Sequence, residues 1–210
     1  MIRPRPPIVL ASTSRYRREL LARLGLPFEA IAPTYDEDAH KASLAHLGAE
    51  ALSLELARGK ARSVARERPD AIVIGSDQIA VIDDARLDKP GTAERAREQL
   101  ARLAGRTHRL VTSVVVLHGE RELVHVDVHA LTMRALDAAQ IEDYVARDAP
   151  LDCAGSYRSE SLGVALFEHI RGDDATAVIG LPLTAITRML AALGADPLGA
   201  RTSGGAEGAS

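Results

Sequence analysis

The stretch Ala71-Ile-Val-Ile-Gly-Ser-Asp-Gln-Ile-Ala80 sets the terms for the rest of the chain. Ile72, Val73 and Ile74 are β-branched and suit a buried strand, with no polar residue among them to face water. The run is expected to break at Gly75-Ser76, a small pair that lets backbone or ligand come close. That places the carboxylate of Asp77 at a strand end, where it either caps a turn or faces a cleft.

The chain can bury such a strand. Its 210 residues, 46% of them hydrophobic, suffice for one large domain or two closely joined lobes. No apolar run approaches the roughly 20 residues needed to cross a bilayer. Met1 to Pro7 lacks the apolar stretch of a signal peptide, so a cytoplasmic protein without a membrane is expected. Cys153 is alone, which rules out an internal disulfide and points away from redox chemistry. A net charge of −3, 3% aromatics and no Trp give neither a basic field nor stacking platforms for nucleic acid. Any anion must be held locally. Of 26 basic residues only Lys41, Lys60 and Lys89 are lysines. A Lys kept in an Arg-rich chain either places a compact point charge on a phosphate oxygen or is there by chance.

In chain order, Pro7–Ala11 reads as a strand, Ser12-Thr13-Ser14 as a polar turn, and Arg15 to Leu24 as an amphipathic helix closed by Gly25. Arg15, Arg17 and Arg18 crowd that helix's N-terminus, where the macrodipole already disfavours cations. An anion held by backbone N–H groups, hydroxyls and guanidinium forks would resolve the conflict; a solvated basic face is the other reading. A second strand near Pro27–Ala32 runs into Asp36-Glu37-Asp38, which can hold a hard divalent cation or form a solvated loop. Ala42–Arg66 is expected to be one long helix with Lys60 off its apolar stripe. Lys89 falls on a loop before a helix over Thr92–Ala104, and two long strands, 107–118 and 122–133, form a hairpin. His125, Asp127 and His129 alternate with valines as a half-exposed strand does, which fits better than a zinc site. Asp137 caps a further helix, the loop Asp152–Glu160 displays one cation and one acid, Gly163–Ile170 reads as a strand, and Pro182 opens the last helix.

Together these segments predict an α/β fold with a mixed sheet and a cleft between two lobes. Into the cleft would go the Arg-rich helix start, Lys60, Lys89, Glu37, Asp77 and the loop near Glu160. Cations to cradle phosphates and acids to hold magnesium or manganese and orient water are what a metal-assisted phosphoryl enzyme needs. No G-x-S-x-G elbow offers a nucleophile.

The chain also resembles a known family, the Maf-like nucleoside triphosphate pyrophosphatases, over Ile8 to Leu193. The likeness rests on Leu10-Ala-Ser-Thr-Ser14, Arg17-Arg-Glu-Leu-Leu21, Asp36-Glu37, Lys60-Ala61, Gly75-Ser-Asp-Gln78, Lys89-Pro90, Cys153-Ala-Gly-Ser156 and Val178-Ile-Gly-Leu-Pro-Leu183. It implies an elongated, twisted mixed sheet flanked by helices, of the kind shared with inosine triphosphatases, in one two-lobed catalytic domain (residues 1–195) with a disordered tail (196–210). It implies hydrolysis of the α–β bond of a nucleoside triphosphate to the monophosphate and pyrophosphate with magnesium or manganese, and a possible homodimer. By position, the resemblance makes Asp77 the catalytic proton acceptor and a metal ligand with Glu37, and Ser12, Arg17, Arg18, Lys60 and Lys89 phosphate-binding residues. Gly-Ser-Asp-Gln and Cys-Ala-Gly-Ser-Tyr resemble the branch acting on 7-methyl-GTP rather than the dTTP and UTP branch, which puts Tyr16, Gln78 and Glu160 at base-selecting positions. The family is also associated with septum formation, so a nucleotide-binding regulator is the alternative class. The chain departs from the family at Arg15 (usually Pro), Gly59 (usually an acid) and Arg158 (often Lys in this branch).

Overall fold

Residues 5–199 are described by a computed structural model. Strand β1 (Ile8–Ala11) is followed by α1 (Arg15–Ala22), β2 (Glu29–Ile31), α2 (Glu37–Ser43), α3 (Ala49–Ala65), β3 (Ile72–Ile82), β4 (Ala85–Leu87) and α4 (Ala93–Leu103). The hairpin β5 (Thr107–His118) and β6 (Arg121–Met133), then α5 (Ala138–Asp148), β7 (Phe167–Arg171) and α6 (Leu183–Ala192) complete it. Seven strands form one mixed sheet in the order β2-β1-β3-β5-β6-β7, with β4 beside β3. The α/β class and the mixed sheet are therefore as expected. None of the helices is long and apolar enough to cross a membrane among the described residues.

Strand β1 runs parallel to both β2 and β3. The chain steps outward to β2 through α1 and back across β1 to β3 through α2 and α3, and right-handed crossovers in opposite directions put their helices on opposite faces. Accordingly α1 and α6 cover Ile8, Leu10, Ile72 and Ile74, and α3 covers Val9, Ala11, Val73 and Val115. Helices α4 and α5 bury Ala80, Ile82, Leu110 and Leu131 further along the first face.

Four sequence expectations are corrected. Strand β3 does not break at Gly75-Ser76: it runs on through Asp77, which lies opposite Ser113 of β5, so the acid is in mid-strand. Gly75 serves a helix instead. A Cβ there would lie 2.7 Å from Ala61 N and 2.8 Å from Ala61 Cβ, so α3 rests directly on the strand backbone. The helix expected over Ala42–Arg66 is divided: its first residues belong to α2, which starts earlier where Asp36 accepts from Ala39 N (3.0 Å) and ends at Ser43, and Gly48 starts α3 after an intervening turn. Gly163–Leu166 is not strand but belongs to a 3₁₀ turn leading into β7.

The fourth correction concerns β6. Asp127 and His129 are buried and His125 is half-buried, whereas Val124 and Val128 are exposed. Nδ1 of His129 lies 2.6 Å from Oδ1 of Asp127. The polar face is thus the inner one, and β6 from Arg121 to His129 has no strand on its far edge among the described residues. Of the expected tail, Asp196–Gly199 forms a turn to which Arg5 donates (2.9 Å to Asp196 O); 200–210 lie outside the described residues.

What positions the site is an interruption in pairing. On the edge of β3 away from β5, β1 pairs with Ile72–Ile74 and β4 with Ala80–Ile82. Gly75 to Ile79 has no strand on that side among the described residues, which opens a gap at the level of Asp77. Gly75→Ala is expected to lift α3 off β3 and destabilise the protein by about 1–3 kcal/mol, as core overpacking does. A urea denaturation midpoint equal to wild type would show that the helix does not need this contact.

Candidate active site

Around the gap the structure forms two adjoining cavities of about 390 Å³ each, sharing Ser14, Tyr16, Arg17, Glu37, Lys60, Lys89 and Asp152. Each falls in the range of roughly 300–1,000 Å³ that takes small ligands. Asp77 enters from the α3 side of β3, and Lys60, one turn beyond Leu56 on α3, meets it. Both are buried. Lys60 Nζ donates to Asp77 Oδ1 at 2.7 Å and lies 2.6 Å from Glu37 Oε2, so one ammonium bridges two carboxylates. Lys60 is therefore on the buried face of α3, in line with Leu52 and Leu56, and not off the stripe as the sequence suggests. Lys41 Nζ takes the other oxygen of Glu37 at 2.7 Å. Burial works to raise the Glu37 carboxyl, but Lys60 and Lys41 outweigh it and hold it at about 2.

The polar turn after β1 behaves as its sequence suggests. Ser14 caps α1 by accepting from Arg17 N, and Ser12 Oγ accepts from Ser14 N at 3.1 Å, leaving the Ser12 hydroxyl proton free to donate. Ser12 is buried at the wall of the cavity. Arg17 lines both cavities and is pinned by Nε donating to Gly180 O at 3.1 Å. Burial lowers its pKa against the pull of Asp77 and Glu37. Arg18 points elsewhere: it is exposed and lines neither cavity. Of the acids 36–38, only Glu37 reaches the site, since Asp36 is spent as a cap and Asp38 is exposed.

All three lysines line the first cavity, with Asp88 near Lys41 at 4.0 Å. Lys41, Arg86, Asp88 and Asp152 were not singled out by sequence reasoning for this site; the rarity of lysine was the signal that could have found Lys41. Five cationic and five acidic side chains line this cavity, so it is formally balanced. A polyphosphate bringing several negative charges would need further positive charge. Oδ2 of Asp77 is buried without a hydrogen-bond partner among the described residues, which suits a hard divalent cation. No cluster of three or more His, Cys, Asp or Glu side chains completes a cage among the described residues, so such an ion would draw its other ligands from substrate and water.

The far end of the cavity carries the expected base-selecting residues. Gln78 points to the opposite face of β3 from Asp77, and its Nε2 donates to Thr112 Oγ1 (2.9 Å), Ala177 O (2.9 Å) and Val178 O (3.2 Å). Both carbonyls can only accept, which fixes the amide orientation and leaves Oε1 as the free group. Tyr16 receives hydrogen bonds on its hydroxyl from Arg15 (2.6 Å) and Arg158 (3.4 Å), and Arg158 is anchored to Asp148 at 3.2 Å. Arg15, at the first position of α1 where Pro is well tolerated, also lies 4.6 Å from the centre of the Tyr16 ring. Glu160 sits at the rim with its carboxyl raised by partial desolvation. Cys153 is in the cavity, but burial and then Asp152 push its thiol up to about 12, so it is no thiolate nucleophile.

Residues 7–193 match the family described as Maf-like protein. The chain is 47% identical over 193 residues to a 7-methyl-GTP pyrophosphatase of Bordetella pertussis, covering 92% of this chain and 95% of that one. It is 46% identical over 185 residues to a protein of the same name from Xanthomonas axonopodis pv. citri, covering 88% and 95%. A third of that name, from Thiobacillus denitrificans, is 47% identical over 200 residues, covering 94% and 98%.

The Glu37 pairing has a pH signature. Its folded pKa of about 2 lies below the ordinary 4.5, so its contribution to stability is full above about pH 4.5 and is lost as pH falls toward 2. Lys60→Gln should move the Glu37 titration up toward the ordinary range, read by carboxyl NMR. An unmoved titration would remove Lys60 as the cause.

Proposed function

Since the chain belongs to the Maf-like family, we propose that it is a nucleoside triphosphate pyrophosphatase that hydrolyses 7-methyl-GTP to the monophosphate and pyrophosphate. The observation that carries the reading is Lys60 bridging Asp77 and Glu37 in a cavity lined by all three lysines. The relatives' shared name supports the substrate.

In this reading the triphosphate lies along the turn after β1. The Ser12 hydroxyl and the Arg17 guanidinium bind its oxygens, with Lys89 and Lys41 closing from the other wall. Asp77 and Glu37 would hold a divalent cation, magnesium or manganese, which supplies charge for the phosphates and lowers the pKa of water. Asp77 accepts the proton of the water that attacks the α-phosphorus. The new bond is P–O(water), the α–β bridging bond breaks, and pyrophosphate leaves with its charge spread over Lys60, Lys89 and Arg17. Lys60 keeps the two acids apart and oriented when the cation is absent. Arg18 has no part in this reading.

The base goes toward Tyr16, Gln78 and Glu160. A 7-methylated guanine carries positive charge, which the Glu160 and Asp152 carboxylates favour and an aromatic face accommodates. Arg15 occupies one face of Tyr16, so the base stacks on the other or displaces it. Glu160 and Gln78 Oε1 accept from purine N–H groups.

Pyrophosphate release should be measured with 7-methyl-GTP, GTP, dTTP, UTP and CTP in magnesium or manganese. Preference for 7-methyl-GTP is expected, and Asp77→Asn should lower kcat by about 10²–10⁴, the usual worth of a general base. Preference for dTTP and UTP would keep the mechanism and discard the base reading. No turnover of any nucleotide, with binding retained, would favour a regulator that senses nucleotide.

A further inference from the structure

Gly59 stands in the interior of α3, one residue before Lys60, where helix preference alone favours almost any other residue. Its reason is spatial. A Cβ at residue 59 would lie 2.7 Å from the Tyr35 hydroxyl oxygen and closer still to the ring edge, inside the volume the phenol occupies. Tyr35 packs against the cluster of Leu52, Leu56, Ile79 and Val111, and its ring lies 4.2 Å from that of His40 on α2. The phenol is thus held between two helices, α3 beneath it and the first turn of α2 beside it. Glu37 is two residues further on.

Helix α2 has few other attachments. It spans seven residues, none of them buried, and among the described residues its side chains are tied across the gap through Glu37 to Lys60, more loosely through Lys41 to Asp88 at 4.0 Å, and through this ring. Burial raises the Tyr35 pKa, and the carboxylates of Glu55, Asp77 and Glu37 add to this, so the hydroxyl stays a neutral neighbour of the acids. Glu37 has little backbone restraint of its own. The ring supplies it.

We propose that Tyr35 is a positioning residue whose ring, seated in the socket left by Gly59, sets Glu37 against Lys60 at the cavity mouth. This goes beyond the functional reading above and, for its activity arm, rests on it. The ring and the bare backbone act as one pair: a side chain at residue 59 expels the ring, and without the ring the socket has no purpose.

A double-mutant cycle tests this with two readouts. Hydrogen–deuterium exchange of the α2 amides reports the seating of the helix whether or not any nucleotide is hydrolysed. Gly59→Ala should speed exchange across Glu37–Ser43, Tyr35→Ala should do the same, and Tyr35→Phe, which keeps the ring, should retain the protection. In the Tyr35→Ala background, Gly59→Ala should change nothing further in α2. The second readout is the concentration of manganese giving half-maximal hydrolysis. A displaced ligand should raise it in Gly59→Ala while the thermal midpoint holds or rises, and kcat/KM should drop by about 10–100-fold, as small misplacements in active sites do. Independent, additive effects of the two substitutions on exchange, or a Gly59→Ala protein with wild-type exchange and wild-type manganese response, would overturn the proposal. A wild-type protein that hydrolyses nothing would discard the functional reading and leave the exchange cycle to decide the socket.

Discussion

Helix α3 can lie against β3 only because the strand offers bare backbone at Gly75, and the site depends on that contact. With a side chain there, Lys60 would be carried away from Asp77 along with the helix. At the same level the opposite edge of β3 is unpaired between β1 and β4, so the strand presents a helix on one side and open space on its edge. A buried carboxylate in mid-strand is ordinarily costly unless paired. Here a lysine pairs one oxygen and the other has no hydrogen-bond partner among the described residues, so a ligand bringing positive charge would complete the pairing.

The second dependence is electrostatic. The cavity gathers cations and acids in equal number, and those on the α2 side form ion pairs: Lys60 with Asp77 and Glu37, Lys41 with Glu37 and more loosely Asp88. A surplus of lysines would bind any anion; in this balanced set Lys60 and Lys41 must exchange an acid for a phosphate oxygen, and the acids they release then need a new counter-charge, which a bound cation would supply. The cysteine in the same cavity is kept as a protonated thiol by its surroundings, so the chemistry is left to oxygen atoms.

Most of this was legible in the sequence where local chemistry decides. Ser14 as a cap, Asp137 with Gln140 as a capping box, the Thr92 cap and the two long hairpin strands follow from turn and cap residues that act within a few positions. The readings that failed depended on what packs across space. Gly75 looked like a strand break because small residues weaken strands, but the glycine answers to α3, distant in sequence. The helix expected over Ala42–Arg66 is interrupted after Ser43 and restarts at Gly48, although the apolar spacing continues across the break. The faces of β6 are inverted from their ordinary sense because Asp127 and His129 pair on the inner side, while of the valines on the other face only Val126 packs on the cluster under α3 and Val124 and Val128 are exposed. Lys60 was legible through the scarcity of lysine, Asp77 through the apolar strand that carries it and Glu37 through its run of acids, with resemblance adding to all three. Lys41 was visible only through that scarcity. Arg18, close in sequence to Arg17, falls on the other side of α1 because neighbours on a helix diverge by about a quarter turn.

The inverted faces of β6 have an effect on how the chain meets copies of itself. Register in a strand is usually enforced by the apolar face seeking the core, and in β6 that force sits at the C-terminal end, where Leu131 and Met133 are buried, while Val124 and Val128 face outward and Asp127 with His129 inward. At the other end the two-residue connection Gly119-Glu120, with Gly119 at a φ of +56°, holds the pairing of His118 with Arg121. The same inversion guards the open edge. A strand from another molecule docking there would have to pack its own side chains beside buried histidines and a carboxylate, and sheets use inward charge of this kind to discourage growth into aggregates.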